Sequence, residues 1–392
     1  MIKGDIKILV TGGGSGGHIS VAKALIDAVV EDYNIPKKNI IYVGGDLGME
    51  YEEVGNSLEK RVFKESGFKT YFIRAGKLHR RFSLKRAKFL LRTLLGLFDA
   101  LKIIKKERPT FVISTGGFVS VPVCIISWLY KTPIYLHEQT ASVGLSNKIV
   151  GKFASRIYIS FKDSLRYFPE EKCIHVGNVV RKDIFQKKIT SNTDLEIISL
   201  VNTDTNLPFI YISGGSLGSH TINQKIQKEL ENLLPFFRIL LQTGENKIFK
   251  DYEEIMKIKG SLRQEYQDRL VIKKYIDKYS IGYVLNNMDL FLGRAGANTV
   301  YEIGVLEKFA LFIPIPWVTH NEQYLNAKVL HDIGTANILQ EKDLDNANLK
   351  YEIERLFEQT KLRKIDYEKL KALFPTNATY YIIDEIFSKY LK

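Results

Sequence analysis

The residues with the clearest chemical potential lie in a glycine-rich stretch, VTGGGSGGHIS, at residues 10–20. The aliphatic run at 6–10 predicts a buried strand, and residues 21–30 have apolar side chains at helical spacing. The glycines therefore lie on a strand-to-helix turn, where a ligand can approach the backbone closely. The N–H groups at the helix start favour an anion such as a phosphate. His18 adds a titratable side chain at the same place.

The same glycines fit the dinucleotide-binding pattern GxGxxG, through Gly12, Gly14 and Gly17. That pattern also requires an acidic residue about 20 positions downstream. The acid that ends the second predicted strand, Asp46, lies well beyond this distance. NAD binding is therefore disfavoured but stays open as an alternative, as does a tight turn that binds no ligand.

A second group of candidate residues lies at 293–304, GRAGANTVYEIG, and at 314–327, PIPWVTHNEQYLNA. The first segment again follows a predicted strand and opens a helix, and Thr299 suits a diphosphate at the helix start. Glu302 could accept hydrogen bonds from a ribose diol, and Gln323 could bind sugar hydroxyls. Taken singly, Glu302 could be a first-turn acid that offsets the helix dipole, and Gln323 a solvated side chain. Their joint occurrence favours a nucleotide-sugar site.

Composition limits the partners and the compartment. The chain has 392 residues, of which 45% are hydrophobic, enough for two domains with cores. A net charge of +13 favours a nucleotide, a nucleic acid or an anionic membrane as partner, although a codon bias towards lysine would also raise it. Cys124 and Cys173 match no metal or disulfide spacing, which is typical of a reducing cytoplasm. We expect no signal peptide, and the apolar run at 119–130 is too short to span a bilayer.

Strands and helical patterns alternate along the chain, which predicts parallel sheets with helices on both faces. The predicted strands are 6–10, 40–43, 71–73, 111–114, 134–137, 156–160, 174–176, 209–213, 238–243, 270–274, 290–293 and 310–314. A polar stretch at 187–206 has the composition of an insertion or interdomain segment. The fold class is therefore α/β, with two Rossmann-like doubly wound domains that bind ligands at the carboxyl ends of their strands. We expect the domains at 1–180 and 181–374, with a C-terminal helix at about 375–392 packed on the first.

Seven motifs in one order extend over nearly the whole chain: TGGGSGGH, STGGFVSVP, LHEQTASVGLSNK, VGNVVRKDIF, SGGSLGSHTIN, the stretch 294–302, and HNEQYLNA. On these motifs the sequence resembles the MurG family of bacterial glycosyltransferases. The resemblance implies a GT-B architecture, with two Rossmann-like domains facing a cleft. It implies transfer of N-acetylglucosamine from UDP-N-acetylglucosamine to the lipid-linked N-acetylmuramyl-pentapeptide of peptidoglycan synthesis. The transfer would invert the anomeric carbon to give a β-1,4 link, at the cytoplasmic face of the cell membrane.

The resemblance also implies roles for individual residues. The implied substrate-binding positions are Ser15, Gly16, Gly17, Thr140, Arg181, Ser216, Ile276, Ala297, Asn298, Thr299, Val300, Tyr301, Glu302 and Gln323. Among them, Ser216 would contact phosphate, Ile276 would contact uracil through its backbone, and Gln323 would contact the sugar. The donor would be held mainly by the C-terminal half.

Some positions depart from the family pattern. Thr140 stands where an asparagine is usual, Val179 where a proline is usual, and Glu322 where many members have a neutral or basic residue. Ser20 and Val21 replace an aromatic-proline or threonine-proline pair. These departures leave open a related transferase that moves another UDP-sugar to another lipid such as diacylglycerol. An NAD(P)-dependent oxidoreductase and a non-catalytic nucleotide-sugar-binding protein are the alternatives from other classes.

Glycosyl transfer needs stabilisation of the leaving diphosphate and a base for the acceptor hydroxyl. Glycine turns and helix N-termini can supply the first. His18 is the candidate base, because a helix N-terminus disfavours the imidazolium and keeps the ring neutral. The alternative is that His18 only caps the helix or orients the loop. Asp343 and Asp345 are the only acid pair suggestive of a metal, and they are more typical of a loop and helix cap. We therefore expect no essential metal and no cofactor.

Residues 77–106 combine cations with apolar side chains, including seven Lys or Arg and no acid between Lys77 and Arg92. A stripe at helical spacing predicts core packing for Leu84, Ala87, Leu91, Leu94, Phe98 and Leu101. Phe82, Phe89, Leu90 and Leu97 lie off that stripe, which predicts a peripheral contact with an anionic membrane. Charge reversal of Arg80, Arg81, Lys85 and Arg86 should weaken this contact. A solvated basic face is the alternative, and nucleic-acid binding is disfavoured because no RNA-binding motif accompanies the charge.

Overall fold

The computed structural model describes residues 6–46, 57–64, 66–75, 84–203, 206–245, 248–317, 321–362 and 365–390. Contacts between residues divide the chain into two units, Met1–Arg181 with Pro375–Lys392, and Lys182–Phe374. Each unit contains a parallel sheet flanked by helices, which confirms the predicted α/β class with two Rossmann-like domains. Parallel sheets of this kind are covered on both faces, which explains the nearly continuous apolar runs of their strands.

The first unit has a seven-stranded sheet in the order β3-β2-β1-β4-β5-β6-β7. Its strands are β1 (Ile8–Gly12), β2 (Ile40–Gly45), β3 (Lys69–Ile73), β4 (Phe111–Gly116), β5 (Ile134–Glu138), β6 (Arg156–Ile159) and β7 (Cys173–His175). Its first five helices are α1 (Gly16–Glu31), α2 (Leu58–Phe63), α3 (Leu84–Glu107), α4 (Ser120–Leu129) and α5 (Leu145–Phe153). The strand order reverses between β1 and β4. A ligand crevice is expected at the carboxyl ends of strands at such a point.

The second unit has a six-stranded sheet in the order β10-β9-β8-β11-β12-β13. Its strands are β8 (Phe209–Ser213), β9 (Arg238–Gln242), β10 (Leu270–Lys273), β11 (Leu290–Gly293), β12 (Phe309–Phe312) and β13 (Ala336–Ile338). Its helices are α6 (Leu195–Asn202), α7 (His220–Leu233), α8 (Asp251–Ser261), α9 (Gln264–Asp268), α10 (Ile281–Asn287), α11 (Ala297–Val305), α12 (Glu322–Ile333), α13 (Leu349–Leu362) and α14 (Tyr367–Leu373). The order reverses between β8 and β11, so the turns after these strands are neighbours.

The predicted strands are all present, with ends within two residues of the expected ones, and β13 is an additional strand. The interpretation of 187–206 as an insertion or interdomain segment is wrong for residues 195–202, which form helix α6. The carboxylate of Asp194 caps this helix by accepting hydrogen bonds from the backbone N–H groups of Glu196 and Ile197. Ile197 and Leu200 are buried, so the helix contributes to the second unit's core.

The C-terminal helix, α15 (Ala378–Phe387), packs against α1 of the first unit. Ile382, Ile383 and Ile386 enter the apolar cluster on that face of the sheet. The hydroxyl of Tyr33 donates to the Asp384 carboxylate at 2.7 Å. The last part of the chain is therefore an integral part of the first unit's core.

The apolar residues of α3 divide between core and surface. Leu97, Ala100, Leu101 and Ile104 pack against the cluster beneath the helix, whereas Leu94 and Phe98 are 49% and 62% exposed. The predicted core stripe is therefore wrong at Leu94 and Phe98, and Leu97, placed off the stripe, faces the core. The side chains of Leu84, Ala87, Leu91, Phe82, Phe89 and Leu90 lie outside the described residues.

Gly96 shows why α3 turns this particular face inward. A Cβ atom at Gly96 would lie 2.2 Å from the carbonyl oxygen of Arg74 and 3.6 Å from Pro122 of α4. Only glycine permits this approach, and residues at helical spacing from Gly96 then face the core. None of the described helices combines the length and apolar character that crossing a bilayer requires.

Candidate functional site

In the first unit, the turns after β1 and β4 touch each other through glycine backbones. Gly13 N–H donates to the carbonyl oxygen of Gly116 at 3.2 Å. A Cβ at Gly117 would lie 1.9 Å from the Gly13 oxygen, and one at Gly12 would lie 1.9 Å from the Thr115 hydroxyl oxygen. Side chains at these positions are therefore excluded by neighbouring atoms, and the glycines bring two strand ends together.

A buried carboxylate already occupies part of the first glycine turn. Gly14 N–H donates to Oε1 of Glu59 at 2.6 Å, and the Glu59 side chain is fully buried. A Cβ at Gly13 would lie 2.3 Å from the same oxygen. The Gly14 N–H is thus already bonded inside the protein, whereas Ser15, Gly16 and Gly17 lie at the start of α1, where a helix N-terminus favours an anion. The sequence analysis did not identify Glu59, since it is distant in sequence from the turn.

His18, in the first turn of α1, is held by contacts to β4 and β5. Its Nδ1 lies 2.7 Å from the carbonyl oxygen of Thr115, and the Gln139 amide contacts the same nitrogen. A carbonyl oxygen can only accept, so we assign the ring hydrogen to Nδ1 and the unprotonated lone pair to Nε2. With this tautomer the Gln139 amide must turn its oxygen, which is buried without a partner, rather than its nitrogen towards Nδ1. Burial lowers the pKa of His18 to about 4, and the bond to Thr115 opposes this shift. Burial, rather than the helix terminus named in the sequence analysis, is the main cause.

A buried carboxylate at the end of β5 organises the loop that follows this strand. Glu138 is 1% exposed and accepts hydrogen bonds from the Thr140 N–H at 2.8 Å, the Thr140 hydroxyl at 2.7 Å and the Asn147 amide at 2.8 Å. Burial raises the pKa of Glu138, and these hydrogen bonds oppose the shift. The Thr140 hydroxyl is thus bonded inside the protein. These hydrogen bonds do not support the sugar contact that the sequence predicts for Thr140. Arg181, the last residue of the unit's first segment, is half-buried.

In the second unit, the strand order places the turns after β8, β11 and β12 side by side. Ser216 is exposed in the first of these turns. In the second, Arg294 is 6% exposed, pairs with Glu341 and donates to the Ser219 hydroxyl oxygen at 2.7 Å. Burial lowers the pKa of Arg294, and Glu341 opposes this shift. Ser219 lies in the glycine turn that the sequence predicts to supply hydroxyl donors, whereas Glu341 is a residue at this edge that the sequence analysis missed.

Helix α11 begins at Ala297, directly after the glycine turn at Gly296, and no side chain caps it. Asn298 and Thr299 therefore lie in its first turn, as expected for residues that bind an anion at a helix N-terminus. Glu302 lies in the second turn and is half-buried, so its interpretation as a first-turn acid is wrong. Val300 and Tyr301 are fully buried, which leaves their side chains in the core rather than on a ligand.

The two remaining predicted positions lie in different parts of the second unit, at the start of helix α12 and after strand β10. Gln323, in the first turn of α12, uses its Oε1 to accept from the Ile315 N–H at 3.1 Å, which directs its amide nitrogen elsewhere. Ile276 follows β10 and is 3% exposed, consistent with a contact through its backbone. Among the described residues, no group of three or more His, Cys, Asp and Glu side chains could hold a metal ion.

Comparisons with known proteins identify both units. The model of the glycosyltransferase family 28 N-terminal domain matches residues 8–159, and that of the C-terminal domain matches residues 209–378. A UDP-N-acetylglucosamine–N-acetylmuramyl-(pentapeptide) pyrophosphoryl-undecaprenol N-acetylglucosamine transferase of Clostridium novyi is 31% identical over 356 residues, 90% of this chain and 91% of its own. A transferase of that name, numbered 2, from Bacillus cereus is 31% identical over 367 residues, covering 93% and 95%.

Solved structures share the fold. Acinetobacter baumannii MurG matches with a TM-score of 0.66 and 23% identity over 98% of this chain and 99% of its own. The UDP-GlcNAc 2-epimerase of Neisseria meningitidis, bound to UDP-GlcNAc, matches with a TM-score of 0.64 and 13% identity over 98% and 100%. At these identities the likeness concerns the fold alone.

We expect the His18 ring to remain neutral from pH 8 to pH 5, because its pKa is about 4. Its ring-proton resonance should stay constant in this range by NMR, whereas a solvated histidine titrates near pH 6.5. The spectrum of H18N identifies the resonance. Because the unfolded chain binds this proton more readily, His18 should also reduce stability as pH falls from about 6.5 to about 4. A titration midpoint near 6.5 would contradict the assignment.

Proposed function

Because the chain belongs to glycosyltransferase family 28, we propose that it transfers N-acetylglucosamine from UDP-N-acetylglucosamine to the lipid-linked N-acetylmuramyl-pentapeptide of peptidoglycan synthesis. It is a UDP-sugar-dependent transferase, and the names of its Clostridium novyi and Bacillus cereus relatives specify this donor and this acceptor. The observation that carries the proposal is the 2.7 Å contact between Nδ1 of His18 and the Thr115 carbonyl oxygen, from which we assign an unprotonated Nε2.

In the proposed reaction, Nε2 of His18 removes the proton of the acceptor hydroxyl as its oxygen attacks the anomeric carbon. Attack from the face opposite the leaving diphosphate inverts that carbon and gives the β-1,4 link. The imidazolium that forms keeps its Nδ1–H bonded to the Thr115 carbonyl, which stabilises the positive charge. The low pKa keeps the ring unprotonated and able to accept a proton at neutral pH, but it also makes the ring a weaker base than one with a pKa near 7.

We assign the donor to the second unit. The N-terminus of α11, with Asn298 and Thr299 in its first turn, would stabilise the negative charge that develops on the leaving UDP. Ser216 would add a hydroxyl donor, Glu302 would bind the ribose, and the Gln323 amide would bind the sugar. The reaction needs no metal if these groups supply the stabilisation.

Glu59 argues against the alternative of a dinucleotide-dependent oxidoreductase. Its carboxylate accepts the N–H of Gly14, one of the glycines of the GxGxxG pattern. A pyrophosphate at this turn would meet a buried oxygen and, where Glu59 is ionised, a like charge. This contact favours a transferase over NAD binding in the first unit.

We also propose that the first unit contacts an anionic membrane surface. Leu94 and Phe98 of α3 are exposed, and the end of the adjacent helix α4 exposes Trp128, Leu129 and Tyr130. Apolar side chains of this kind insert at the interface, and nearby cations add attraction to anionic lipid. The cations at 77–91 invoked by the sequence analysis lie outside the described side chains.

The proposed activity is tested with radiolabelled UDP-N-acetylglucosamine and two defined acceptors, a lipid-linked N-acetylmuramyl-pentapeptide and diacylglycerol. We expect label in the first acceptor only, and a weaker signal when UDP-glucose or UDP-galactose replaces the donor. Transfer to diacylglycerol would instead support the related transferase. Thermal stabilisation by NAD(H) without stabilisation by UDP-sugars would overturn both the proposed activity and the related transferase.

Replacing His18 with alanine should lower the single-turnover rate by about 10²–10⁴-fold, since it removes the base. Affinity for UDP-N-acetylglucosamine should change little, because we assign the donor to the second unit. H331A, which removes a half-exposed histidine on α12, is the control and should leave the rate unchanged. A rate for H18A within threefold of the parent would exclude His18 from the chemistry. Lost donor affinity with an intact saturated rate would make it a binding residue.

Replacing Glu302 with alanine should weaken UDP binding by about 1.5–3 kcal/mol, the range of a hydrogen bond to a charged group. Calorimetry with UDP and with 2′,3′-dideoxy-UDP isolates the ribose contact. The parent should prefer UDP, and E302A should bind the two ligands equally. E265A removes an exposed glutamate of the same unit and serves as the control. Unchanged UDP affinity in E302A would refute the ribose contact.

The double variant L94E/F98E should lose co-sedimentation with anionic vesicles, because it places charges where apolar side chains would enter the interface. L195E is the matched control, since Leu195 is 80% exposed in the second unit. Unchanged UDP affinity and an unchanged unfolding midpoint would show that the double variant is folded. Full sedimentation of L94E/F98E would show that a different surface binds the membrane.

A further inference from the structure

Arg294 is a cation at the carboxyl edge of the second unit's sheet, yet its guanidinium contacts are internal. Nη1 donates to the carbonyl oxygen of Ile313 at 3.0 Å. Nη2 donates to the hydroxyl oxygen of Ser219 at 2.7 Å and pairs with Glu341. Its side chain is only 7% exposed. An external diphosphate could reach the two Nη atoms only by displacing these partners, so we infer the role of Arg294 from the groups that its Nη atoms contact.

Through Nη2, Arg294 contacts the N-cap residue of helix α7. Ser219 is the N-cap residue, and its oxygen accepts the Ile222 N–H at 3.5 Å as well as the Arg294 Nη2–H. Both partners are donors, so the hydrogen of the Ser219 hydroxyl must point to a third group. Within the part of the chain that the structure describes, no acceptor takes this hydrogen, although Ser219 is only 7% exposed. Buried polar groups are normally satisfied, so this unused hydrogen needs an explanation, and a bound ligand that accepts it would provide one.

The turn that carries Ser219 is held in one conformation by close backbone contacts. A Cβ at Gly218 would lie 1.8 Å from the Thr243 carbonyl oxygen, and φ at Gly218 is +74°, in the left-handed region. A Cβ at Gly214 would lie 2.3 Å from the backbone nitrogen of Ser219. The turn is therefore folded tightly at the start of α7, where the helix dipole favours an anion.

From these contacts we infer that Arg294 is a positioning residue that orients the Ser219 hydroxyl to donate a hydrogen bond to the diphosphate of the donor. Glu341 neutralises Arg294 and keeps its guanidinium away from the ligand. The inference rests on the proposed UDP-sugar donor. It adds a second serine, deeper in the turn than Ser216, to the residues that bind the diphosphate.

The test compares UDP with uridine, which lacks the diphosphate, by calorimetry on the full chain. S219A should weaken UDP binding by roughly 10- to 100-fold, with uridine affinity within twofold of the parent. R294K should weaken UDP binding in the same direction, because lysine cannot reproduce the fork that bonds Ser219, Ile313 and Glu341 together. The double variant S219A/R294K should bind UDP as S219A does, since Arg294 acts through the hydroxyl.

R238K is the matched control. Arg238 also bonds backbone carbonyl groups, those of Leu200, Val201 and Leu207, but it lies at the amino end of β9. The R238K variant should leave the affinities for UDP and for uridine unchanged. Equal losses for UDP and uridine in S219A, additive effects of S219A and R294K, or unchanged UDP affinity in S219A would each overturn the inference. A parent chain that binds neither UDP nor uridine would instead refute the proposed donor.

Discussion

The hydrogen bond between the His18 ring and the Thr115 carbonyl depends on the adjacency of β1 and β4, and the proposed chemistry depends on that bond. It fixes which ring nitrogen can accept a proton. The turns after the two strands can approach closely enough only because glycines occupy the contact, at Gly13 and Gly117 among others. The glycine turn, which the sequence pattern predicts to be a ligand loop, thus also packs two strand ends together and orients the His18 ring.

Each unit also buries an ionisable side chain at the carboxyl edge of its sheet, and the two side chains have different partners. In the first unit, Glu59 is held by the backbone N–H of Gly14. In the second, Arg294 is held by Glu341, Ser219 and the Ile313 carbonyl. A buried charge is costly unless hydrogen bonds or an opposite charge compensate it. These groups therefore fix the conformation of the turns to which they are bonded.

The sequence predicted the parts of this structure that local patterns encode. Apolar runs between glycine turns located the strands, and the glycine-rich motif located His18, the candidate base. Periodicity showed that α3 is amphipathic, but the inward face was set by the approach of Gly96 to the Arg74 carbonyl, which no local pattern reveals. Glu59 and Glu341 were missed for the same reason, since each meets its partner across more than 40 residues of chain.

The position of Glu59 also shows how one sequence pattern can serve different ligands. In a dinucleotide-binding fold, the amides of the GxGxxG turn bind a pyrophosphate. Here the Gly14 amide is used by an internal carboxylate, and the amides at the start of α1 are what remains for an external anion. A short glycine pattern therefore specifies a close backbone turn, whereas the groups brought to it from elsewhere in the fold decide what can bind. For this chain those groups are Glu59, Thr115 and Gln139, and together they favour a neutral base over a nucleotide phosphate.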